Sequence, residues 1–568
     1  PSAFVTLAAL PTLPSGKLDR HALPRPGPAE AGVAVAYEAP RTPAEQALAG
    51  IWAQVLGVPR VGIHDDFFAL GGESILSIQV VARANQAGLP ITPRQLFQHP
   101  TVAGLAQAAA ARPAQAEQGL VTGPVLLAPI QRWFFEQHAH EPHHWNTSML
   151  MEVWQRLDPD VLRRALQALM AHHDALRLRF ERASTGWRAA CLGAGEAAPL
   201  ECVDLTGVPE ERQGEAVEAV AAALQARFDL TQGPLLRAAY FDLGPEQPPR
   251  LFLLFHHLVT DGVSWRIFVD DLQTAYRQLA AGEPLRLPPK TTSYQEWTQR
   301  LHGYAQRAGL RAELDYWRQI GARGIAPLPV DRHDGADTYG SVRAVTTALD
   351  AEGTQALLQR LPAAGVHADD ALLAALARTF AHWTGRPALL VEMEGHGRED
   401  LFDDVDLTRT IGWFTTSYPL LLDLEGCSEP LQALRAVQAQ HRALPRAGIG
   451  YGLLRYLCDE DAVRSCLAAL PSPQVSLNYL GRFDQVPAEG WFPFRIADES
   501  SGPEQSPSAL RTNLFDIVAI VTGEELQLRW LYGENRHTAA TVEALAARLM
   551  DELRLLVDRR LAAEERSI

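Results

Sequence analysis

The stretch "LLFHHLVTDGVSW", Leu253 to Trp265, places two adjacent histidines ahead of an Asp-Gly pair. Imidazoles in such a setting suit several tasks: holding a metal, activating a serine, moving a proton, or simply ending a strand. The apolar residues 251–255 run directly into the pair, so His256 and His257 close a buried strand. Successive strand residues point to opposite faces, so only one of the two can enter a given cleft. That disfavours a shared metal. No third ligand stands at a metal-binding spacing, and Ser264 lacks the G-x-S-x-G elbow of a nucleophile. Asp261, Gly262 and Ser264 add a carboxylate, a turn and a hydroxyl, the make-up of a loop that positions a side chain.

Two other stretches could do chemistry. In "EMEGHGRED", Glu392 to Asp400, a glutamate ends a strand-like "PALLV" and enters a glycine-containing loop. A carboxyl there can reach into a cleft without backbone in its way, although a solvated loop has the same composition. In "DDFFALGGESILSIQVV", Asp65 to Val81, Gly71 and Gly72 allow a tight exposed turn before Ser74 at a helix start. Ser74 could be a plain N-cap. Equally, an anionic phosphodiester attached to its hydroxyl would meet free N–H groups and the positive end of the helix dipole.

The elements that must carry these residues divide the chain. At 568 residues it exceeds one ordinary domain, and about three or four units are expected. A composition 47% hydrophobic and 21% charged is that of globular domains with large cores. No run of 18 apolar residues occurs, and the first residues show no secretory pattern. The five cysteines, Cys191, Cys202, Cys427, Cys458 and Cys466, have no ligand spacing, which disfavours zinc and a disulfide framework and fits a reducing cytoplasm. A net charge of −16 argues against nucleic acid and anionic membranes as partners. Pro- and Ala-rich linkers are read at 25–40 and 112–124, leaving a unit of about 70 residues and one of about 440. "TPAEQALAGIWAQVLG", "SILSIQVVARANQAG" and "TVAGLAQAAAA" predict helices in the short unit, the first with a capping box at Thr42 and Glu45. The long unit mixes helical patterns ("PDVLRRALQALMAHHDALRLRF", "ADDALLAALARTFAHWTG", "TVEALAARLMDELRLLVDRR") with β-type runs ("RLFLLFHHLVT", "PALLVEMEG", "FDIVAIVTG", "LQLRWLYG"). An α/β class is predicted for it.

G-G-x-S after D-D-F-F and before a helix resembles the phosphopantetheine attachment site of carrier (thiolation) domains in nonribosomal peptide synthetases. The resemblance covers 41–111, implies an all-α four-helix fold, and makes Ser74 the residue that carries 4′-phosphopantetheine from coenzyme A. "LPTLPSGKLDR" resembles the last motif of an adenylation domain, so 1–24 would be its C-terminal tail, with Lys17 inert without the rest.

H-H-x-x-x-D-G resembles the signature of the condensation-domain superfamily, whose fold is similar to chloramphenicol acetyltransferase: two α/β lobes in a V with a tunnel between them. The lobe boundary is expected near 300–330. In that family the second histidine, here His257, lines the tunnel, leaving His256 structural. "PIQRWFFEQ", "VSWRIFVDDL", "EGHGRE", "TRTIGWFTTSYPLLL", "LPRAGIGYGLLRY" and "SLNYLGRFD" resemble, in order, the motifs of the epimerization branch, over 125–568. Arg482 departs from the glutamine usual in that last motif. "HHDALRLRF" also matches and reads as structural, with Arg177 or Arg179 an expected partner of Asp261. His143 and His144 have no such context and read as surface residues.

The implied activity is cofactor-independent inversion of the α-carbon of an aminoacyl or peptidyl thioester on Ser74. No pyridoxal-type lysine is available, since Lys17 and Lys290 are the only lysines. The resemblance implies His257 and Glu394 as acid/base or enolate-stabilising groups, 394 − 257 = 137 positions apart, with Asn478 and Tyr479 as polar tunnel residues. Asp261, Gly262, Ser264, Trp265, His396 and Arg398 support them. Implied partners are a phosphopantetheinyl transferase, an upstream adenylation domain and a downstream condensation domain. The alternatives are an amide-forming condensation domain and an inactive domain that recruits a tailoring enzyme.

Overall fold

The structure, a computed structural model, describes residues 37–72, 74–109, 116–195, 197–333, 335–363, 365–482 and 494–565. The expected adenylation tail at 1–24, with Lys17, lies outside them. Backbone contacts divide the chain into two compact units, one containing the carrier-like segment and one holding Pro113–Thr354 and Asp369–Arg554.

Among its described residues the carrier-like segment shows four helices. In α1 (Pro43–Leu56) the Thr42 hydroxyl accepts from the Glu45 amide while the Glu45 carboxylate accepts from the Thr42 amide, the expected capping box. After it come α2 (Ser74–Gln86), α3 (Pro93–Gln98) and α4 (Val102–Ala108). Leu48, Trp52, Phe67, Val80, Val102 and Leu105 are fully buried and form one core, with the Trp52 and Phe67 rings edge-to-face at 5.1 Å. Four short helices of this size gain stability mainly from that shared apolar face, because isolated helices so short are marginal.

The larger unit is built on three sheets. The smallest has the order β1 (Gly123–Val125), β4 (Gly186–Cys191), β3 (Leu178–Ala183). The end of the segment read as a linker is therefore part of this fold. Lys290 Nζ donates to the Gly119 carbonyl at 2.7 Å, and Gln118 pairs with the Lys290 backbone. The helical pattern read through "PDVLRRALQALMAHHDALRLRF" stops earlier: α6 is Pro159–His172, and Leu178 begins β3. Leu176 and Phe180 stand four apart, so the helical period and the strand alternation coincide there, and the sequence pattern alone could not separate them.

A five-stranded sheet contains β2 (Asn146–Val153), β5 (Leu200–Asp204), β6 (Leu236–Asp242) and β7 (Arg250–His256). Its outer strand β12 (Phe494–Ile496) comes from far along the chain and pairs with β2. Around it, Arg495 pairs with Glu152 at 2.8 Å and Glu499 with Arg250 at 2.9 Å, while Glu504 accepts from the Ser148 amide at 2.8 Å.

The third sheet holds β8 (Val342–Leu349), β9 (Ala388–Gly395), β10 (Thr416–Asp423), β11 (Val475–Arg482), β13 (Phe515–Thr522) and β14 (Glu525–Gly533), in the order β10-β9-β11-β13-β14-β8. Its two faces differ because side chains alternate. Val391, Leu477, Ile517, Ala519, Leu528 and Trp530 are buried on one face, where Phe380 of the helix Ala368–Thr384 stacks on Trp530 at 6.2 Å. The other face carries Glu392, Glu394, Ser476, Asn478 and Asp516, none of them buried. A half-polar sheet of this kind needs something other than a core against its second face, and that face presents the candidate chemistry.

Candidate functional site

His256 ends β7 wholly buried. Its Nδ1 accepts from the Leu258 amide at 3.2 Å, so the proton is on Nε2, which donates to the Pro142 carbonyl at 2.8 Å. Burial pushes its pKa down to about 3. Both nitrogens are used, and the residue is structural as expected. His257 follows on a short 3₁₀ turn, its amide donating to the Trp145 carbonyl at 2.9 Å. The ring is partly exposed and lies 4.5 Å from that of Trp413. Nδ1 is buried without a hydrogen-bond partner, and burial lowers the pKa below that of an ordinary histidine. At neutral pH the imidazole is therefore uncharged and able to accept a proton.

Asp261 holds this loop. It caps α8 (Gly262–Ala280), its Oδ1 accepting from the Ser264 amide at 2.7 Å and its Oδ2 from the Phe414 amide at 3.0 Å. The cation that pairs with it is Arg398, at 3.2 Å, with side chains 2% and 5% exposed. This corrects the expected partnership with Arg177 or Arg179. Arg177 donates to the carbonyls of Met170, Leu192 and Val121, and Arg179 to those of Leu178 and Gln232. Arg398 also donates to Ser264 Oγ at 3.0 Å and to the carbonyls of Thr410 and Leu407 at 2.7 and 2.8 Å, and lies 3.9 Å over the Phe414 ring. Ser264 Oγ donates to the Gly412 carbonyl, and Trp265 Nε1 donates to Thr147 Oγ1, both at 2.9 Å.

Arg398 belongs to "EGHGRE", so the clamp joins the two chemistry-bearing stretches. Asp261 is four residues after His257 and Arg398 four after Glu394, and the clamp spans the same 137 positions as the two candidates. Between them His396 is largely buried, and burial takes its pKa down to about 4. Gly397 has φ +66°, and a Cβ there would sit 1.7 Å from the Phe414 carbonyl oxygen, so this turn admits only glycine.

Glu394 is exposed, and its Oε2 accepts from Asn478 Nδ2 at 2.8 Å. Desolvation, reinforced by the negative charges of Glu392 and Asp516, nevertheless pushes its pKa up to about 7. The carboxyl is thus accessible and at the same time surrounded by enough protein to be desolvated. Asn478 shares its strand face with Ser476, which pairs in register with Glu392. Tyr479 has the parity of buried Val475 and Leu477, and the register of β11 shifts between Tyr479 and Arg482. The structure thus joins Asn478 to Glu394 by a hydrogen bond.

Several contributors escaped the sequence reading. Trp413 and Phe414 stand in "TIGWF", and Glu392 is revealed only by strand alternation, two residues before Glu394. "HHDALRLRF" is structural: His173 Nε2 lies 2.9 Å from Asp271, and His172 is beside them. Arg409 already gives Asp271 a cation. His143 is exposed and His144 half-buried.

In the carrier-like unit Ser74 begins the 13-residue α2, after an exposed turn in which Gly71 has φ +94°. The free N–H groups of a first turn and the adjoining exposed loop fit an attached phosphodiester. Among the described residues no helix is long and apolar enough to cross a membrane.

Comparison with known proteins places these units. Residues 46–109 match the family described as the phosphopantetheine attachment site, and 121–562 match the condensation domain. The chain is 45% identical over 575 residues to chondramide synthase cmdD of Chondromyces crocatus and 44% identical over 569 residues to a linear gramicidin synthase polypeptide of Brevibacillus parabrevis. These alignments cover 99% and 98% of this chain but 14% and 7% of those proteins, so it spans only a small part of their length. Among solved structures it is similar to the epimerization domain from the third module of tyrocidine synthetase B, with 31% identity, a TM-score of 0.74, and coverage of 80% of this chain and 100% of that one. With a histidine loop and a glutamate loop clamped through a buried ion pair, following a phosphopantetheine-attachment domain in sequence, the chain belongs to the condensation-domain family of nonribosomal peptide synthetases.

Proposed function

We propose that the chain inverts the α-carbon of an aminoacyl or peptidyl thioester carried on Ser74, by removing and returning the α-proton. The observation that carries this reading is Glu394, an accessible carboxyl with a pKa of about 7, held by Asn478 and tied through Arg398 to the loop of His257. The likeness to an epimerization domain supports it. Phosphopantetheine, when attached, supplies the thiol that makes the substrate a thioester and so acidifies its α-proton. The residues of this chain do the rest. One of His257 and Glu394 takes the proton from one face of the α-carbon, leaving an enolate. The other gives a proton to the opposite face or stabilises the oxyanion while water-borne protons are returned. No bond to sulfur breaks. A neutral imidazole and a carboxyl titrating near 7 both work near the operating pH, where proton transfer in either direction is efficient.

We further read residues 41–111 as the carrier and 125–568 as the catalytic domain, with 112–124 between them as a connection whose end, from Gln118 on, is built into the larger fold. Residues 1–24 would end an adenylation domain, which would load the carrier, and a condensation domain would consume the product. The test is chiral analysis of the amino acid released from loaded carrier. A D/L mixture supports inversion. Unchanged L-residue refutes it, and an amide product formed with an added acceptor would establish condensation instead.

A further inference from the structure

Glu392 and Glu394 stand two residues apart on β9 and therefore share its polar face, one pleat apart. Their surroundings differ. Both oxygens of Glu392 accept hydrogen bonds, from Ser417 Oγ at 2.5 Å and from Asn513 Nδ2 at 2.7 Å. Both donors are neutral. Asp516, the next carboxylate along the sheet, accepts from Ser476 Oγ at 2.7 Å and pairs with Arg511 at 2.9 Å. Arg511 is also shared with Asp337. The other titratable groups around the pair are Tyr339, Tyr451 and Tyr456, which burial keeps protonated, and Arg455, paired with Glu136 at 2.6 Å. Among the described residues Glu392 therefore has donors that favour its ionised form but no cation paired with it.

We propose that Glu392 is a positioning residue for the reaction, its ionised carboxylate acting across one pleat so that Glu394 is the member of the pair that holds the proton. The proposal rests on the reading of Glu394 as an acid/base. Two like charges one pleat apart on the same strand face each oppose the other's ionisation, and the pair titrates as a unit. The asymmetry decides its microstate. Glu392 receives two hydrogen bonds that stabilise an anion, whereas Glu394 receives one, from Asn478. Glu394, the exposed member of the pair, is left as the acid that can lose and regain its proton near pH 7. Burial raises the pKa of Glu392 as well, and the hydrogen bonds from Asn513 and Ser417 act against that rise.

The test is a carboxyl infrared titration of the full chain, with the Glu394 band assigned by its loss in E394Q, which needs no turnover. Glu392→Gln keeps the shape, accepts from Asn513 and can donate to Ser417, but removes the charge. The Glu394 midpoint should fall by about one pH unit, the size expected for a like charge one pleat away in partly solvated protein. Asn513→Ala removes one donor but keeps the carboxyl, and should leave the midpoint between those of wild type and E392Q. A midpoint in E392Q within about 0.3 units of wild type overturns the proposal. On loaded carrier, the pH profile of α-proton exchange in E392Q should shift with the same sign; a uniform loss of rate with an unmoved profile would mean a purely structural role. If the chain does not epimerise at all, the infrared shift still decides the coupling by itself.

Discussion

Replacing Arg398 by methionine removes a guanidinium that is 2% exposed and roughly conserves the stem. Five interactions go with it: those to Asp261, to Ser264 Oγ, to the carbonyls of Leu407 and Thr410, and to the face of the Phe414 ring. Asp261 keeps the amides of Ser264 and Phe414 but becomes a buried carboxylate without a cation. Breaking a buried pair from one side typically costs about 3–5 kcal/mol, a large part of the total stability of an ordinary domain. Arg398→Lys keeps a charge but cannot reach Asp261 and both carbonyls together, so it should recover only part of the loss. Asp261→Asn leaves Arg398 uncompensated and should cost a similar amount. The double variant D261N/R398M removes both charges and should be less destabilised than the sum of the singles by about 2 kcal/mol. Urea denaturation of the four proteins of this cycle, followed by tryptophan fluorescence, gives the coupling directly. Because the clamp sets the loops of both His257 and Glu394, α-proton exchange should also fall by about 10²-fold in the single variants that remain folded, as for a displacement of about 1 Å. Additive single effects, within about 0.5 kcal/mol, would refute the clamp as the connection between the two loops.

Exchange from an L-thioester that uses Glu394 as base needs its carboxylate. The rate should rise with pH through a midpoint of about 7, and Glu394→Gln should abolish that limb and lower the rate by about 10²–10⁴-fold; an intact limb in the variant would remove Glu394 from the reaction. Ser74→Ala should gain no mass when incubated with coenzyme A and a phosphopantetheinyl transferase, and any pantetheinyl adduct on it would displace the attachment site. Gly397→Ala should lower the melting temperature, since the left-handed backbone alone costs about 1–3 kcal/mol and its Cβ collides with the Phe414 carbonyl; a variant as stable as wild type would show that the turn can rearrange.

The parts of the site that lie within one continuous stretch are legible in the sequence. His257 at a strand end, Asp261 before a helix, and Glu394 entering a glycine turn all follow from local pattern, and the structure places them just after β7, at the N-cap of α8 and near the end of β9. Pairing across sequence distance is not legible. The carboxylate of Asp261 needs a cation, and "HHDALRLRF" offers two arginines. Nothing local says that the cation comes from 137 positions further on, or that Arg177 and Arg179 are occupied by backbone carbonyls. Glu392 is visible as a residue but not as a neighbour of consequence. Its role depends on the faces of a six-stranded sheet in which Ser417 and Asn513 come from other parts of the chain. The helix-to-strand switch after His172 is hidden because both periods fit the same apolar residues.

The strand Phe494–Ile496 has a consequence for how such domains can be divided or exchanged. It completes the edge of a sheet whose other strands end at residue 256, and Glu152 and Arg250 of that sheet find their partners in Arg495 and Glu499. A cut at residues 300–330 would therefore leave the first piece with an open strand edge, and would strip Glu152 and Arg250, which pair with each other at 3.4 Å, of Arg495 and Glu499. The two pieces should not fold separately, and the unit should melt in one transition. A recombinant that takes its first 200 catalytic-domain residues from one parent must take the segment around 494–505 from the same parent. Natural recombination within this domain faces the same rule, so exchange of the whole domain is the route that keeps every ion pair with its partner.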